Sequence, residues 1–250
     1  MTETWVIKIS GHQMDDEAFL SEFISTVANL PHHIVLVHGG GKEISQLQQR
    51  LGIEPHFADG IRVTDAESLA LVEMVLCGLV NKRLVRMLVA RNVAAIGISG
   101  VDMGLIEAEK LANPNIDMMF TGEIKSLNIE PLKKLLDSGL TPVIAPISYS
   151  KDHNYNVNAD HVTGALSSAL SADRTFFISN VPGVMADGQV IGQLTPQQAE
   201  QLIHEEVIVG GMIPKVRTAL DVLDAGVRRV IITDLDGLQN QTGTTFLEGE

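Results

Sequence analysis

Residues 5–12 read WVIKISGH, and residues 34–43 read IVLVHGGGKE. Each stretch is a short apolar strand that ends in a glycine turn, and helical sequence follows both turns. The first strand also carries a cation, Lys8. Glycine lets backbone N–H groups come close to a ligand, and the N-terminus of a helix favours anions. The two stretches therefore predict an α/β protein that handles phosphate.

Strand and helix signals alternate along the rest of the chain. Strands are predicted at 34–37, 94–98, 143–147, 175–179 and 229–233, and helices at 16–28, 42–51, 66–91, 130–138, 159–171, 195–205 and 211–225. This alternation is typical of βαβ units around a mostly parallel sheet with helices on both faces. Because a new strand begins after a helix near Asp173, we expect an N-terminal lobe at 1–172 and a C-terminal lobe at 173–250 that share one sheet.

Composition narrows the class of protein. A net charge of −13 argues against a nucleic-acid partner, which requires clustered Lys and Arg. No apolar run approaches the ~20 residues that span a bilayer, and the N-terminus lacks the basic start of a signal peptide, so we expect a cytoplasmic protein without a membrane segment. The single cysteine, Cys77, lies in an apolar helical run and is expected to be a packing thiol. The histidines lack metal-ligand spacing, so no metal site built from protein side chains is expected.

Two further segments carry polar residues where strands end and helices begin. Residues 156–160 read NVNAD, and residues 210–215 read GGMIPK, a helix opening with Lys215 about one turn in. Taken alone, Lys215 is best explained as a solvated helix lysine, Asp160 as a helix cap and Asn158 as a turn residue. Alongside Lys8 and the glycine turns, we favour a cation aimed at phosphate, an anchor that orients the lysines and a neutral donor to a substrate, respectively.

Six segments in order resemble the amino acid kinase family, and within it the members that phosphorylate N-acetyl-L-glutamate. They are KISG at 8–11, HGGG at 38–41, GIRVT at 60–64, EMVLCGLVNK at 73–82, NVNAD at 156–160 and GGMIPK at 210–215. The similarity covers nearly the whole chain. It implies a three-layer αβα sandwich with a mostly parallel central sheet, in which the N-terminal lobe binds acetylglutamate and forms a homodimer while the C-terminal lobe binds ATP.

The resemblance also implies roles for individual residues. Lys8 and Lys215 would hold the transferring phosphoryl group, and Asp160 would organise the two lysines. The residues implied to bind the substrate are Gly40, Gly41, Arg62 and Asn158, and those implied to bind the nucleotide are Gly11, Ser179, Asn180, Gly183, Gly210, Gly211 and Met212. Mg²⁺ would be bound mainly through the nucleotide phosphates.

The implied reaction is ATP-dependent phosphorylation of the γ-carboxylate of N-acetyl-L-glutamate, which gives N-acetyl-L-glutamyl 5-phosphate in the second step of arginine biosynthesis. Two alternatives stay open. One is a kinase of lysine biosynthesis acting on aminoadipate linked to an acidic carrier protein, although the acidic charge of this chain disfavours such docking. The other is a non-catalytic sensor of acetylglutamate or nucleotide. The presence of both lysines, Lys8 and Lys215, argues against it.

The start of the chain bears on regulation. Because the first strand starts at about residue 5, without the preceding helix of arginine-inhibited relatives, we expect a homodimer insensitive to arginine.

Overall fold

A central sheet of eight strands runs through the molecule. The structure is a computed structural model that describes residues 2–10, 14–58 and 60–249. In spatial order, the strands of the sheet are β14 (Gln193–Leu194), β16 (Thr244–Phe246), β15 (Val230–Thr233), β11 (Arg174–Ile178), β1 (Thr4–Ile9), β2 (His33–His38), β8 (Thr141–Ala145) and β5 (Ala95–Ser99). Every adjacent pair is parallel except β15 and β16. The sheet is unbroken across the predicted lobe boundary at 172/173, and the division into lobes stays a prediction.

Helices cover both faces of this sheet. They are α1 (Glu17–Ala28), α2 (Gly41–Leu51), α3 (Ala66–Glu73), α4 (Asn81–Val89), α5 (Glu130–Asp137), α6 (Ala159–Leu170), α7 (Pro196–His204), α8 (Met212–Asp224) and α9 (Leu235–Asn240). Apolar side chains of α1, α4 and α9 pack on one face, and those of α5, α6 and α8 pack on the other. The three-layer αβα sandwich predicted from the sequence is confirmed. None of the described helices combines the length and apolar character that a membrane crossing requires.

The alternation of side chains along β1 decides where its lysine points. Trp5, Ile7 and Ile9 are fully buried against α1 and α4. Because successive side chains of a strand point to opposite faces, Val6 and Lys8 lie on the other face, where α6 crosses β1. A charged residue thus stands at the end of a buried strand because it faces the start of a helix instead of the core.

A second, smaller sheet forms a closed group of four strands beside the main one. It contains β6 (Ile106–Lys110), β7 (Thr121–Leu127), β9 (Ile147–Tyr149) and β10 (Asn154–Val157). The short pairs β3 (His56–Ala58) with β4 (Ile61–Val63) and β12 (Met185–Ala186) with β13 (Gln189–Val190) are separate hairpins. The prediction of one strand at 143–147 was wrong. Pro146, which has no N–H to donate, separates β8 in the main sheet from β9 in the small one.

The segment predicted as a helix at 66–91 is helical from Ala66 to Val89 but is not one regular α-helix. Residues Met74–Val80, between α3 and α4, form a π-helical segment with wider turns. A hydrophobic pattern with a period of 3.6 cannot reveal an extra residue within a turn, which explains the difference. Such π segments are frequent near functional sites, and this one precedes three polar residues that brace the glycine turn and the adjoining strand, as described below.

Candidate active site

The end of β1 and the start of α6 bring Lys8 and Asp160 together. Lys8 Nζ lies 2.7 Å from Oδ1 of Asp160, and both side chains are largely buried. Asn158 caps α6, because its Oδ1 accepts a hydrogen bond of 2.8 Å from the backbone N–H of Asp160. The carboxylate therefore stands in the first turn of the helix, where the helix dipole favours negative charge. This arrangement fixes the lysine at the end of its strand.

The second lysine approaches the same region from α8. Lys215 lies in the first turn of that helix, and its Nζ donates to Oγ of Ser179 at 2.7 Å and to Oδ1 of Asn180 at 3.3 Å. Burial lowers the pKa of Lys215 below its usual value, and the positive charge of Lys8 lowers it further. Two cations from distant parts of the chain therefore act on each other electrostatically.

A cavity of about 480 Å³ lies between these groups. Its polar lining is Lys8, Ser10, Asp160, Ser179, Asn180, Lys215 and Thr218, and its apolar lining is Phe177, Ile178, Pro214 and Ile232. Two cations at one wall and apolar side chains at another suit a ligand that has both an anionic and an apolar part. The structure thus brings together Lys8, Lys215 and Asp160, the three residues predicted to be catalytic.

A second cleft, of about 190 Å³, opens on the other side of the start of α6. All four residues predicted to bind the substrate, Gly40, Gly41, Arg62 and Asn158, line it. Asn158 and Ala159 border this cleft, whereas the next residue, Asp160, borders the larger cavity. The two spaces therefore border consecutive residues at the start of α6.

The guanidinium of Arg62 is held firmly at the wall of the second cleft. Its Nη2 donates to the carbonyl oxygen of Gly41 at 3.1 Å and to Oγ of Ser45 at 2.7 Å, and its Nη1 donates to Oε1 of Gln48. It also lies over the ring of Phe57, 4.7 Å from the centroid. An arginine has five N–H donors, so within the described ranges the N–H on Nε and one on Nη1 stay available to a ligand. Burial lowers the pKa of this side chain, so the site contains a desolvated cation suited to a carboxylate.

Gly40 and Gly41, in the turn after β2, are glycines for different reasons. A Cβ at Gly40 would stand 2.6 Å from a methyl carbon of Leu76 on the π-helical segment, so the turn can approach that helix only without a side chain. A Cβ at Gly41 would meet no atom within 4 Å, and the space beyond it belongs to the cleft. The first glycine is explained by packing and the second leaves the cleft open.

The predicted nucleotide residues fall into two groups. Ser179 and Asn180 line the larger cavity. Gly183 does not line it; its φ of +155° favours glycine, and a Cβ there would stand 2.6 Å from Oγ1 of Thr244. Gly210, Gly211 and Met212 form the turn that opens α8 and are also outside the cavity lining, while Gly11 lies outside the described residues. Nucleotide contacts of all seven residues stay predictions.

A buried polar network behind the glycine turn was missed from the sequence. His38 is fully buried, and burial lowers its pKa to about 4, so the imidazole is neutral near pH 7. It contacts the Gly39 carbonyl and Asn81, the first residue of α4. Two positions further on, Arg83 forms an ion pair of 2.7 Å with Glu43 of α2. The available signal was a histidine directly before three glycines, but nothing in the sequence paired it with Asn81.

Two other chemical possibilities find no support in the described part of the chain. Within it, no group of three or more His, Cys, Asp or Glu side chains is placed to hold a metal ion. Cys77 is partly buried and packs against the main core, and burial raises its pKa to about 11. A thiol with that pKa is a poor nucleophile near neutral pH, in keeping with the expected packing role.

Comparison with known proteins gives a consistent picture. The sequence model described as the amino acid kinase family matches residues 3–234. A protein named acetylglutamate kinase from Roseiflexus sp. (strain RS-1) is 49% identical over 247 residues, which cover 99% of this chain and 95% of that protein. Another acetylglutamate kinase, from Chloroflexus aurantiacus, is 45% identical over 252 residues, covering 100% and 99%. The crystal structure of smu.665 from Streptococcus mutans UA159 is similar over the full length of both chains, with a TM-score of 0.82 and 30% identity.

Proposed function

This chain belongs to the amino acid kinase family, and from that premise we propose that it transfers the γ-phosphoryl group of ATP to the γ-carboxylate of N-acetyl-L-glutamate. It is a kinase of amino-acid biosynthesis, and its reaction belongs to the arginine pathway. The observation that carries the proposal is that two spaces border consecutive residues at the start of α6. One contains a desolvated guanidinium, and the other contains two lysines and an apolar wall.

The reaction requires little chemistry from the protein. The nucleophile is a carboxylate that is already ionised, because a free carboxyl group titrates near ~4, so no general base is needed. One carboxylate oxygen forms a bond to the γ-phosphorus while the bond from that phosphorus to the β-phosphate oxygen breaks, and ADP leaves with its electron pair. What the protein must supply is alignment of two anions and positive charge around the transferring group.

Lys8 and Lys215 are proposed to supply that positive charge. Their placement at one wall of the larger cavity supports this role. Asp160 is proposed to organise the lysines, and the ion pair with Lys8 supports that assignment. Its carboxylate is already engaged by a cation, so it suits a positioning role better than proton transfer.

The second cleft is proposed to bind acetylglutamate. Arg62 would pair with a carboxylate of the substrate, and Asn158 would donate from its side-chain amide, whose oxygen is already used by the helix cap. Gly40 and Gly41 would donate backbone N–H groups to substrate or phosphoryl oxygens. A guanidinium held on three protein acceptors is oriented before the ligand arrives, which reduces the entropic cost of binding.

ATP is proposed to occupy the larger cavity, with its phosphates toward the lysines. Phe177, Ile178 and Ile232 offer apolar surface to the remainder of the nucleotide. Since the described residues supply no cluster of metal ligands, Mg²⁺ would be held by phosphate oxygens and water, as is usual for this ion with nucleotides. Bound in that way, Mg²⁺ would neutralise phosphate charge.

Three further proposals concern the roles of the two lobes, the oligomeric state and the cellular compartment. We propose that residues 1–172 bind acetylglutamate and form the dimer contact while residues 173–250 bind ATP, that the protein is a homodimer and that it acts in the cytoplasm. The exposed apolar side chains of Met74 and Leu79 on the π-helical segment support a contact with a second chain. Neither alternative activity is favoured: the full-length relatives point to acetylglutamate, and both lysines proposed to hold the phosphoryl group line the cavity.

A coupled assay of ADP release with Mg-ATP tests the proposal. N-acetyl-L-glutamate is compared with L-glutamate and N-acetyl-L-aspartate, and Lys8→Ala is the negative control. Turnover confined to acetylglutamate and abolished in the variant is expected. Absence of turnover with all three acceptors, in a protein that binds ATP, would overturn the proposed substrate.

A further inference from the structure

We propose that His38 and Asn81 are positioning residues, which aim the backbone N–H of Gly40 into the acetylglutamate cleft. The inference rests on the proposed function for the identity of the cleft's occupant. Neither side chain lines that cleft: His38 is fully buried beneath the glycine turn, and Asn81 is 1% exposed at the start of α4. They would therefore act through the backbone of the turn and not by contact with substrate.

The neighbours of His38 and Asn81 decide which atom donates and which accepts in each of their hydrogen bonds. Nδ1 of His38 lies 2.9 Å from the carbonyl oxygen of Gly39, which can only accept, so Nδ1 carries the proton. Nδ2 of Asn81 lies 2.9 Å from the carbonyl oxygen of Val143, so it is a donor. Its second hydrogen is shared between Nε2 of His38 at 3.2 Å and the more distant carbonyl oxygen of Ile98 at 3.4 Å. Nε2 is the acceptor in a neutral imidazole. Two backbone carbonyls at the ends of the network thus fix the tautomer of His38.

This network sets the orientation of one peptide group. The carbonyl of Gly39 and the N–H of Gly40 belong to the same planar trans unit, so they point in opposite directions. With the carbonyl held by the buried imidazole, the N–H of Gly40 points away from it. Gly39, Gly40 and Gly41 all line the cleft, and among residues 2–10, 14–58 and 60–249 the Gly40 amide has no protein acceptor. The N–H is therefore a donor reserved for a ligand.

The surrounding chain is shaped to leave room for Asn81. A Cβ at Gly97 in β5 would stand 1.9 Å from Oδ1 of Asn81 and 2.8 Å from Nζ of Lys82. That Nζ in turn donates to Oδ1 of Asn81 at 3.2 Å and to the carbonyl oxygen of Gly97 at 2.8 Å. Because β5 has no side chain at this point, Asn81 of α4 can reach across the strand to the last residue of β2. The asparagine is thus held on both its amide nitrogen and its oxygen.

Two replacements of His38 test the hydrogen bonds of Nδ1 and Nε2 separately. The amide nitrogen of asparagine takes the place of Nδ1, whereas the end of a glutamine side chain takes the place of Nε2. His38→Asn therefore keeps the donor to Gly39, and His38→Gln keeps only the contact with Asn81. In the acetylglutamate assay we expect kcat to fall ~100-fold in His38→Gln and less than ~5-fold in His38→Asn, with the KM for Mg-ATP within ~2-fold of wild type in both.

A structural role alone gives a different pattern. If the network only stabilises the fold, the two variants lose Tm and activity together, and His38→Asn, which leaves the larger cavity, is no better than His38→Gln. Equal losses of kcat, or no loss in His38→Gln, would overturn the inference. If His38→Gln does not fold, Asn81→Ala is the second variant. Without the amide of Asn81 beside Nε2, the imidazole of His38 can carry its proton on either nitrogen. A ~10-fold loss of kcat is expected there, and unchanged kcat in a folded protein would overturn the role of Asn81.

A measurement without turnover separates this inference from the proposed function. In ligand-free protein labelled with ¹⁵N-glycine, the Gly40 amide should shift in His38→Gln and stay near its wild-type position in His38→Asn. A wild-type protein that does not phosphorylate acetylglutamate would refute the function while leaving this spectral test intact. An unshifted Gly40 amide in His38→Gln would refute the positioning role whatever the substrate is.

Discussion

Lys8 and Asp160 form an ion pair of 2.7 Å that joins the end of strand β1 to the first turn of helix α6. Both residues line the larger cavity, and Asp160 follows directly on the residues that border the second cleft, so the pair should matter for phosphoryl transfer more than for folding. The apolar residues of β1 are fully buried, whereas the two charged groups are partly accessible, at 14% and 24% of their side-chain surface.

Removing the charge of Lys8 should slow the reaction without unfolding the protein. For Lys8→Met we expect kcat to fall ~10²–10³-fold, because one fixed donor to the transferring group is lost. Steady-state kinetics with acetylglutamate measures this. Lys133→Met is the matched control, since Lys133 pairs with Glu130 on the exposed surface of α5, and its activity should be unchanged. A Lys8→Met enzyme with more than a third of wild-type kcat would contradict the assignment.

The alkaline side of the pH profile should report the lysines. Both must be protonated to attract phosphate, and burial and the charge of Lys8 lower the pKa of Lys215 from the usual lysine value of 10.5. We therefore expect kcat/KM to decline as pH rises, with an apparent pKa below that of a free lysine. Lys215→Arg keeps its charge at high pH, so in that variant the decline should move to higher pH. An unchanged alkaline limb in Lys215→Arg would mean that another group titrates.

Replacement of Arg62 by lysine should weaken acetylglutamate binding selectively. An ammonium cannot keep the planar set of bonds to Gly41, Ser45 and Gln48 while facing the substrate. We expect the KM for acetylglutamate to rise ~30–100-fold, a loss of ~2–3 kcal/mol, while the KM for Mg-ATP stays within ~2-fold. Arg50→Lys, on the exposed side of α2, serves as the control. Equal increases in both KM values would point to a general distortion.

The buried imidazole of His38 should make stability depend on pH. Its pKa is lowered to about 4 in the folded protein, mainly by burial, against 6.5 for the free side chain. The unfolded chain then binds more protons between these values, so the stability is fully present above pH 6.5 and is lost as pH falls toward 4. The loss should reach ~3 kcal/mol for this group. Urea unfolding between pH 4.5 and 7 checks it: the His38→Asn variant should show a shallower dependence, and parallel curves would exclude the effect.

Cys77 should react slowly in the native protein. With its pKa raised to about 11, the thiolate fraction near pH 8 is ~100-fold below that of a thiol with the ordinary value of 9.0. Because the chain has a single cysteine, the rate of iodoacetamide labelling followed by mass spectrometry reports this residue alone. We expect the urea-unfolded chain to label at least ~100-fold faster. Comparable rates in the two states would show that the thiol is accessible and activated.

Much of the fold follows from local patterns. The apolar runs around Trp5, Ile34 and Phe176 are strands of the main sheet, and the alternation along β1 accounts for the direction of Lys8. Since ligands bind beyond the carboxyl ends of parallel strands, the polar residues that follow β1 and β10 could be expected to converge. Ser10, which follows β1, and Asp160, which follows β10, both line the larger cavity, whereas Arg62 of the β3–β4 hairpin lines the second cleft.

What the sequence did not indicate depends on contacts between distant positions. The small closed sheet forms because β6, β7, β9 and β10 pair with one another. The sequence of one strand does not reveal which other strand it pairs with. The bond between Asn81 and His38 requires the π-helical turn that precedes α4 and the missing side chain at Gly97, features without a local period. Both kinds of feature are consequences of packing and not of propensity.

The position of β1 between β2 and β11 has a consequence for folding of the chain during its synthesis on the ribosome. Lys8 is flanked by Val37, which is made soon after it, and by Phe177, which is made far later. A nascent chain that has not yet exposed residues up to Ile178 therefore leaves one edge of β1 without hydrogen-bonding partners. Such distant pairing makes the central strand slow to complete. The lysine proposed to hold phosphate therefore gains its full framework only late in synthesis, so a truncated chain could not form that part of the active site.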